Sequence, residues 1–347
     1  MASSSAYEFK RFDVVSNGVI DNHFYEGPTR PSADLHKKIM HEWRILEKHL
    51  PDTIFVRVHE RQIDLLRAAI IGAAGTPYHD ALFFFDLSFP ADYPNRPPVL
   101  HYHSHGHRIN PNLYACGKVC LSLLNTWTGK KSEMWNPKES TILQVLVSIQ
   151  ALVLNSKPYF NEPGAGIIGN WEKQSRAYNE NAFLLTCKTT AHTLRNPPRD
   201  FEELVVEHFR RERAATVLGA CRAYAEERVT VGEYREGCCN WDETASLEKK
   251  TKKKKKDADV ARKFREELKM VYKLMWKAFV ERGIPVEGFG EFLVLEDETT
   301  TSEREKSNNK NDNVNGIVKR FVEKMKKVLR LKKKAKEKEI PVITWFD

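Results

Sequence analysis

From Ala33 to Leu50 the apolar residues recur at helical spacing, with Leu35, Ile39, Trp43, Leu46 and Leu50 forming one stripe. Ser32 stands where an N-cap belongs, and Pro51 ends the pattern. Lys37, Lys38, His41 and Arg44 fall on the wet side of this helix. The period then shortens to that of strands, over Ile54 to Val58, Leu65 to Ile71, Leu82 to Phe89 and Val99 to His103. The turn-forming stretches GAAGTPYHD and FPADYPNRPP separate them. Four sequential strands with short turns and no helix between them predict an antiparallel meander.

Helical spacing returns downstream. Ile142, Val145, Leu146, Ile149, Leu152 and Val153 make a broad apolar face, and another helix is expected from Trp171 to Leu194. Asn196-Pro197-Pro198 breaks the chain. Asp200 with Glu203 has the spacing of a capping box, opening a helix to about Glu227. Val260, Phe264, Leu268, Val271, Met275 and Phe279 mark a further amphipathic helix closed by Gly283, and a last basic helix is expected over about Val314 to Lys336. The order of elements is that of an α+β core followed by a helical annex. Residues 1–30 read as an irregular lead-in, 31–196 as the core domain, and 197–347 as a lysine-rich helical extension. Polar stretches at about 243–258 and 297–315 are expected to be disordered linkers.

Charge modifies this picture in one region. The net charge of +9 is concentrated in the last third, where KKTKKKKK and LKKKAKEK occur. Such runs attract acidic surfaces, nucleic acid or an import receptor, or simply stay solvated. No aromatic residues interleave the lysines to stack bases, so nucleic acid is not expected as a partner. The first residues, MASSSAYEFKRFD, lack the apolar centre of a secretory signal. Ile142 to Leu154 is too short to span a bilayer, so no membrane association is expected. Six cysteines without a signal point to reduced thiols and a cytoplasmic or nuclear location.

The chemistry concentrates in HYHSHGHRINPNLYACGKVCLSLLNTW, residues 101–127. His101, His103, His105 and His107 alternate, which in a strand puts all four on one face. With Cys116 and Cys120 they invite either a metal site or a nucleophile. Alternation spaces the histidines roughly 7 Å apart per step, too far for tetrahedral convergence, and no second ligand pair occurs elsewhere, so no metal is expected.

The succession of landmarks is more specific than any of these residues alone. TPYHDALFFFDLSFPADYPNRPPVL is followed by NPN, then GKVCLSLL, then Trp-Asn-Pro, then the helix ILQVLVSIQALVL. This resembles the core of a ubiquitin-conjugating enzyme over about residues 32–194. The insertion NTWTGKKSEMWNP and the run SIQALVLNSKPYFNEPG resemble its large plant-type and hybrid subgroup. The resemblance implies the ubiquitin-conjugating fold, a four-stranded antiparallel meander flanked by helices. It implies that Cys120 accepts the C-terminal carbonyl of ubiquitin as a thioester and yields it to a lysine amine, a task suited to a thiolate. Asn112, the last residue of Asn110-Pro111-Asn112, is expected to donate toward the oxyanion or to hold the active-site loop. Glu162 is expected near the thioester, where a carboxylate orients the attacking amine.

Two positions depart from the family pattern. Asn110 stands where relatives have His, and Ser122 where many have Asp. Cys116 is expected to be a bystander in a solvent-facing loop. Lys37 and Lys38 match the basic face that meets the ATP-driven activating enzyme, so the chain itself needs no cofactor. The partners implied are ubiquitin, the activating enzyme, and a ligase or protein substrates. Asn95 and the Asn136-Pro137-Lys138 turn differ from the usual ligase-docking residues, and no built-in ligase is expected. Cys238 and Cys239 have no histidine partners nearby. The rival readings are a catalytically inactive scaffold of the same fold, and a metal- or nucleic-acid-binding protein.

Overall fold

The computed structural model describes residues 9–16, 18–166, 170–234 and 255–290, with 255–260 described by backbone alone. In chain order the elements are β1 (Phe12–Val15), α1 (Ala33–His49), β2 (Ile54–His59), β3 (Gln62–Ile71), β4 (Leu82–Ser88), β5 (Val99–Tyr102), α2 (Ile142–Ser148), α3 (Trp171–Arg195), α4 (Glu202–His208), α5 (Ala214–Ala225) and α6 (Lys255–Glu281). The sheet runs β1-β2-β3-β4-β5. Strands β2 to β5 pair antiparallel as the predicted meander, and β1 adds a parallel edge against β2.

One face of the sheet packs on α1 and α2. Leu66, Ala68 and Ile70 of β3 and Phe83, Phe85 and Leu87 of β4 share a core with Leu35, Ile39, Leu46, Ile142, Val145 and Leu146. Helix α1 starts as its sequence predicts, with the Ser32 hydroxyl accepting from the Leu35 N–H at 3.2 Å. Within its apolar stripe sits a buried carboxylate. Glu42 accepts from the Tyr93 hydroxyl at 2.6 Å and from the Ile142 N–H at 3.0 Å, joining α1 to the first turn of α2. Burial raises its pKa above the ordinary glutamate value, against those two hydrogen bonds.

The other face of the sheet is also covered, which is why β4 reads as an unbroken apolar run rather than an alternation. Phe84 packs edge-on against the fully buried Phe201 at 5.4 Å, and the Arg57 guanidinium lies over Phe9 at 3.9 Å. Burying a phenylalanine of this kind contributes about 2–3 kcal/mol. Across β3 and β4, Arg67 and Asp86 form a buried bidentate pair at 2.5 and 2.9 Å. Burial works against the Asp86 carboxylate, but Arg67 and His103 hold its pKa well below the usual range.

The described residues up to Glu287 belong to one compact unit, so α4, α5 and α6 are continuous with the core. A buried polar seam joins α4 and α5 to the loop before β4. His79 Nδ1 lies 2.9 Å from Asp80 Oδ2, and its Nε2 lies 3.1 Å from the Tyr224 hydroxyl. The Asp80 carboxylate only accepts, so His79 Nδ1–H donates to it; in a neutral ring Nε2 then accepts from the Tyr224 hydroxyl, which itself accepts the Gly232 N–H at 3.0 Å. His208 Nε2 lies 2.8 Å from the Asp80 carbonyl, and Arg213 pairs with the Asp80 carboxylate.

Several details differ from the sequence reading. The lead-in is not wholly irregular: four residues of it form β1, too short for a visible alternation. Leu152 is 63% exposed, because α2 passes at Ile149 into a π-helical turn that rotates the apolar face. The Asp200 capping box does not form: Phe201 caps α4 without a side-chain hydrogen bond, and Asp200 adopts φ 68°. The helix expected to reach Glu227 is interrupted by a π turn at Phe209–Arg213 and ends at Ala225. Helix α6 begins at Lys255, so residues 255–258, read as linker, are helical. Its apolar positions Leu268, Val271, Met275 and Phe279 are buried as predicted. The lysine runs at 249–254 and 331–338, Cys238 and Cys239, the stretch 297–315 and the expected last helix lie outside the described residues. No helix among the described residues is long and apolar enough to cross a membrane.

Candidate active site

The chain leaves the sheet at Tyr102 and turns through His105 (φ 48°) and Gly106 (φ 80°). The four histidines therefore do not share a face, because the strand ends before the alternation does. His101 stacks on His23 with ring centroids 3.5 Å apart, and His103 Nε2 lies 3.0 Å from Asp86 Oδ2. His105 stacks on His192 of α3 at 3.9 Å. Among the described residues, no three His, Cys, Asp or Glu side chains converge as a metal site would need.

Asn110 is the hub of the segment that follows. It is fully buried, and its amide donates to the Tyr78 hydroxyl at 2.9 Å and to the Val153 carbonyl at 2.7 Å. Its carbonyl oxygen accepts the Asn112 N–H at 2.9 Å and the Asn161 amide at 3.3 Å. All four hydrogen-bonding positions of the amide are thus used. Asn110 joins the β3–β4 loop, the end of the central helix and the loop after it. The residue noted as a departure from the family pattern is the one that organises the loop.

Asn112 and Cys120 bind each other twice. The Asn112 side-chain amide donates to the Cys120 carbonyl at 2.8 Å, and the Cys120 N–H donates to the Asn112 carbonyl at 2.9 Å. In this arrangement Asn112 holds the loop, the second of its two expected roles, and its buried Oδ1 has no hydrogen-bond partner. Between the two residues, a turn closed by Gly117 N–H to Tyr114 O at 2.9 Å carries Cys116, exposed as expected. Gly117 has φ 87°, and a Cβ there would lie 2.0 Å from the His101 ring. After Cys120, Thr126 pins the chain: its hydroxyl accepts the Leu121 N–H and donates to the Val119 carbonyl, both at 2.9 Å.

Cys120 is only 2% exposed. Burial pushes its thiol pKa up; Lys118, the Tyr114 hydroxyl and Arg108 work against that rise, while Cys116 adds to it. Arg108 is central to the rim of this site. Its guanidinium lies 4.3 Å from the centre of the Tyr114 ring, donates to the Pro111 carbonyl at 3.2 Å, and sits 3.6 Å from Glu162. Glu162 itself ends a short 3-10 turn, Pro158–Asn161, and is exposed. The structure thus ties Glu162 to Arg108, one of the charges felt by Cys120. Ser122 opens a 3-10 turn, with its hydroxyl 3.5 Å from the Thr128 carbonyl. Lys37 is exposed on α1, and Lys38 is half-buried with its Nζ 3.7 Å from Asp34.

A family model described as ubiquitin-conjugating enzyme matches residues 38–185. The ubiquitin-conjugating enzyme E2 38 of Arabidopsis thaliana is 56% identical over 222 residues, covering 62% of this chain and 68% of that protein. The chain belongs to the ubiquitin-conjugating enzyme family. The E2 23 protein of Arabidopsis thaliana is 56% identical over 221 residues, 62% of this chain but 20% of that protein. The human dual E2 ubiquitin-conjugating enzyme/E3 ubiquitin-protein ligase BIRC6 is 36% identical over 239 residues, 62% of this chain and 5% of that protein. Against these last two, the chain spans a fifth or less of the relative's length.

The family match takes in Cys120, Asn112, Glu162 and Lys38, while Lys37 falls one residue before it. Sequence reasoning did not single out Arg108, Tyr114 or Gly117. Each lies within a few residues of Asn112 or Cys120, but its role depends on contacts that local spacing does not encode: Arg108 with Glu162, Tyr114 with Arg108 and Lys118, and Gly117 with His101.

Proposed function

We propose that this chain is a working ubiquitin-conjugating enzyme with Cys120 as its nucleophile. The Cys120 thiolate attacks the thioester carbonyl that joins ubiquitin's C-terminus to the activating enzyme. A new C–S bond forms, the old one breaks, and the activating enzyme's thiolate leaves. A lysine amine of the substrate then attacks the Cys120 thioester and loses its proton, and the Cys120 thiolate departs. Thioester exchange changes no oxidation state, so the transfer needs no cofactor of its own; ATP serves the upstream enzyme.

The observation that carries this reading is the double hydrogen bond between Asn112 and Cys120, which fixes the thiol's backbone beside a side-chain amide. Burial raises the thiol pKa and thins the thiolate population, and the charges of Lys118 and Arg108 oppose that rise. Glu162 is the carboxylate that meets the incoming ammonium, and Lys37 and Lys38 meet the activating enzyme. Among the described residues, the thiols of Cys116, Cys120, Cys187 and Cys221 are free, which is consistent with action in cytoplasm or nucleus. A chase tests the reading: chain loaded with ubiquitin is mixed with free lysine. Loss of the adduct with release of ubiquitinyl-lysine supports it. A chain that loads but never discharges to any amine contradicts it.

A further inference from the structure

Three contacts made by Arg108, and its charge, bear on the buried thiol. Its guanidinium covers the Tyr114 ring at 4.3 Å, donates to the carbonyl of Pro111 inside the Asn110–Asn112 segment at 3.2 Å, and reaches Glu162 at 3.6 Å. Its charge also acts on Cys120 itself. Tyr114 begins the turn that leads back to the nucleophile: its N–H donates to the Lys118 carbonyl at 3.0 Å, and the Lys118 ammonium lies 5.9 Å from the same ring. One aromatic ring is therefore flanked by two cations. The charges of both cations act on the sulfur, whose own burial opposes ionisation.

We propose that Arg108 is a positioning residue of the conjugating reaction, supplying the positive field that stabilises the Cys120 thiolate while holding Tyr114 and Glu162 at the rim of the site. The proposal rests on Cys120 being the nucleophile. Arg108 touches neither ubiquitin's carbonyl nor the sulfur; it acts through charge and through the two side chains it holds. Among the described residues, the side chains that act most strongly on the Cys120 thiol are Lys118, Tyr114, Arg108 and Cys116. The fixed positive charges of Lys118 and Arg108 favour ionisation of the thiol. Glu162 partly neutralises Arg108 in the resting site. An acceptor ammonium that draws the carboxylate away leaves the full charge of Arg108 facing the sulfur at the step in which the thiolate must leave.

Alkylation by iodoacetamide as a function of pH tests this on the full-length chain, without ubiquitin or the activating enzyme. Trypsin cleaves after Lys118, so the Cys120 peptide, Val119–Lys130, is read apart from Cys116. Arg108→Gln is expected to raise the Cys120 midpoint by roughly 0.3–0.5 pH unit, a two- to threefold slower reaction at fixed pH below the midpoint. Arg108→Lys keeps the charge and is expected to stay near wild type. Raising salt to about 1 M is expected to shrink the difference, since the guanidinium is partly exposed and screened. An unchanged midpoint in Arg108→Gln overturns the proposal, as does an equal shift in Arg108→Lys, which would mark a packing role. Failure of the wild type to form a ubiquitin thioester would overturn the Cys120 reading instead, so the two failures are distinguishable.

Discussion

Asn112 and Cys120 hold each other through two hydrogen bonds: the Asn112 side-chain amide donates to the Cys120 carbonyl at 2.8 Å, and the Cys120 N–H donates to the Asn112 backbone carbonyl at 2.9 Å. Eight residues apart in sequence, they close the loop that carries Cys116 and ends on Cys120. A neutral hydrogen bond of this kind contributes about 1 kcal/mol, so the clamp shapes the loop more than it stabilises the protein.

Asn112→Ala and Asn112→Asp both remove the donor to the Cys120 carbonyl. Each is expected to slow discharge to free lysine by roughly tenfold to a hundredfold; Asn112→Ala costs about 1 kcal/mol in stability, and Asn112→Asp more, because it sets a carboxylate against the buried Cys120 carbonyl. Single-turnover chase kinetics, set beside urea denaturation of the same variants, separate the two effects.

Asn110 has the opposite profile, since its amide satisfies buried partners on three segments. Asn110→Ala strands the Asn112 N–H and one acceptor site at Val153. A cost of about 2–4 kcal/mol is expected in urea denaturation. A loss below about 0.5 kcal/mol would show that the hub is dispensable.

Glu162→Gln keeps the shape of the exposed side chain but removes its charge. Loading from the activating enzyme is expected to be unchanged, while discharge to lysine falls about three- to tenfold near neutral pH. The deficit is expected to narrow as pH rises and more of the amine is already neutral. Discharge rates measured from pH 7 to pH 10 check this; a deficit constant with pH would remove Glu162 from proton management.

The seam between core and annex has a pH signature. Burial pushes His208 down to about 4 from the ordinary 6.5, against the opposing Asp80 carbonyl. Between those values the unfolded chain binds a proton that the folded chain refuses. The contribution of His208 is therefore complete above pH 6.5 and is lost as pH falls towards 4, by roughly 3 kcal/mol. His105, also held down to about 4 by burial, steepens the same slope. Melting temperatures from pH 7.5 to 4.5 should fall steadily, and His208→Asn should flatten the curve. A parallel slope in that variant would exclude His208 as a source.

Much of this was legible from local pattern. The stripe Leu35–Ile39–Leu46 with its Ser32 cap, and the strands between proline-rich turns, depend on neighbours in sequence, and they form as read. What escaped depends on distant residues. Glu42 looks out of place in an apolar stripe until Tyr93 and Ile142 meet it. Leu152 has the right helical spacing for the core, but the π turn shifts the register beneath it. Asp200 has the right spacing to cap a helix, yet takes a left-handed conformation and leaves the cap to Phe201. At the site, Cys120 and Asn112 were visible through motif order. The roles of Asn110 and Gly117 were not, because each is defined by the side chains that fold against it, Tyr78 in one case and His101 in the other.

The most direct test of the account is a loading assay with activating enzyme, ATP and ubiquitin, resolved on non-reducing and reducing gels for wild type, Cys116→Ser and Cys120→Ser. The account predicts an adduct that thiol removes, that survives in Cys116→Ser, and that in Cys120→Ser is absent or becomes a thiol-resistant oxyester. A thiol-sensitive adduct that persists in Cys120→Ser, or no adduct in the wild type, would contradict it.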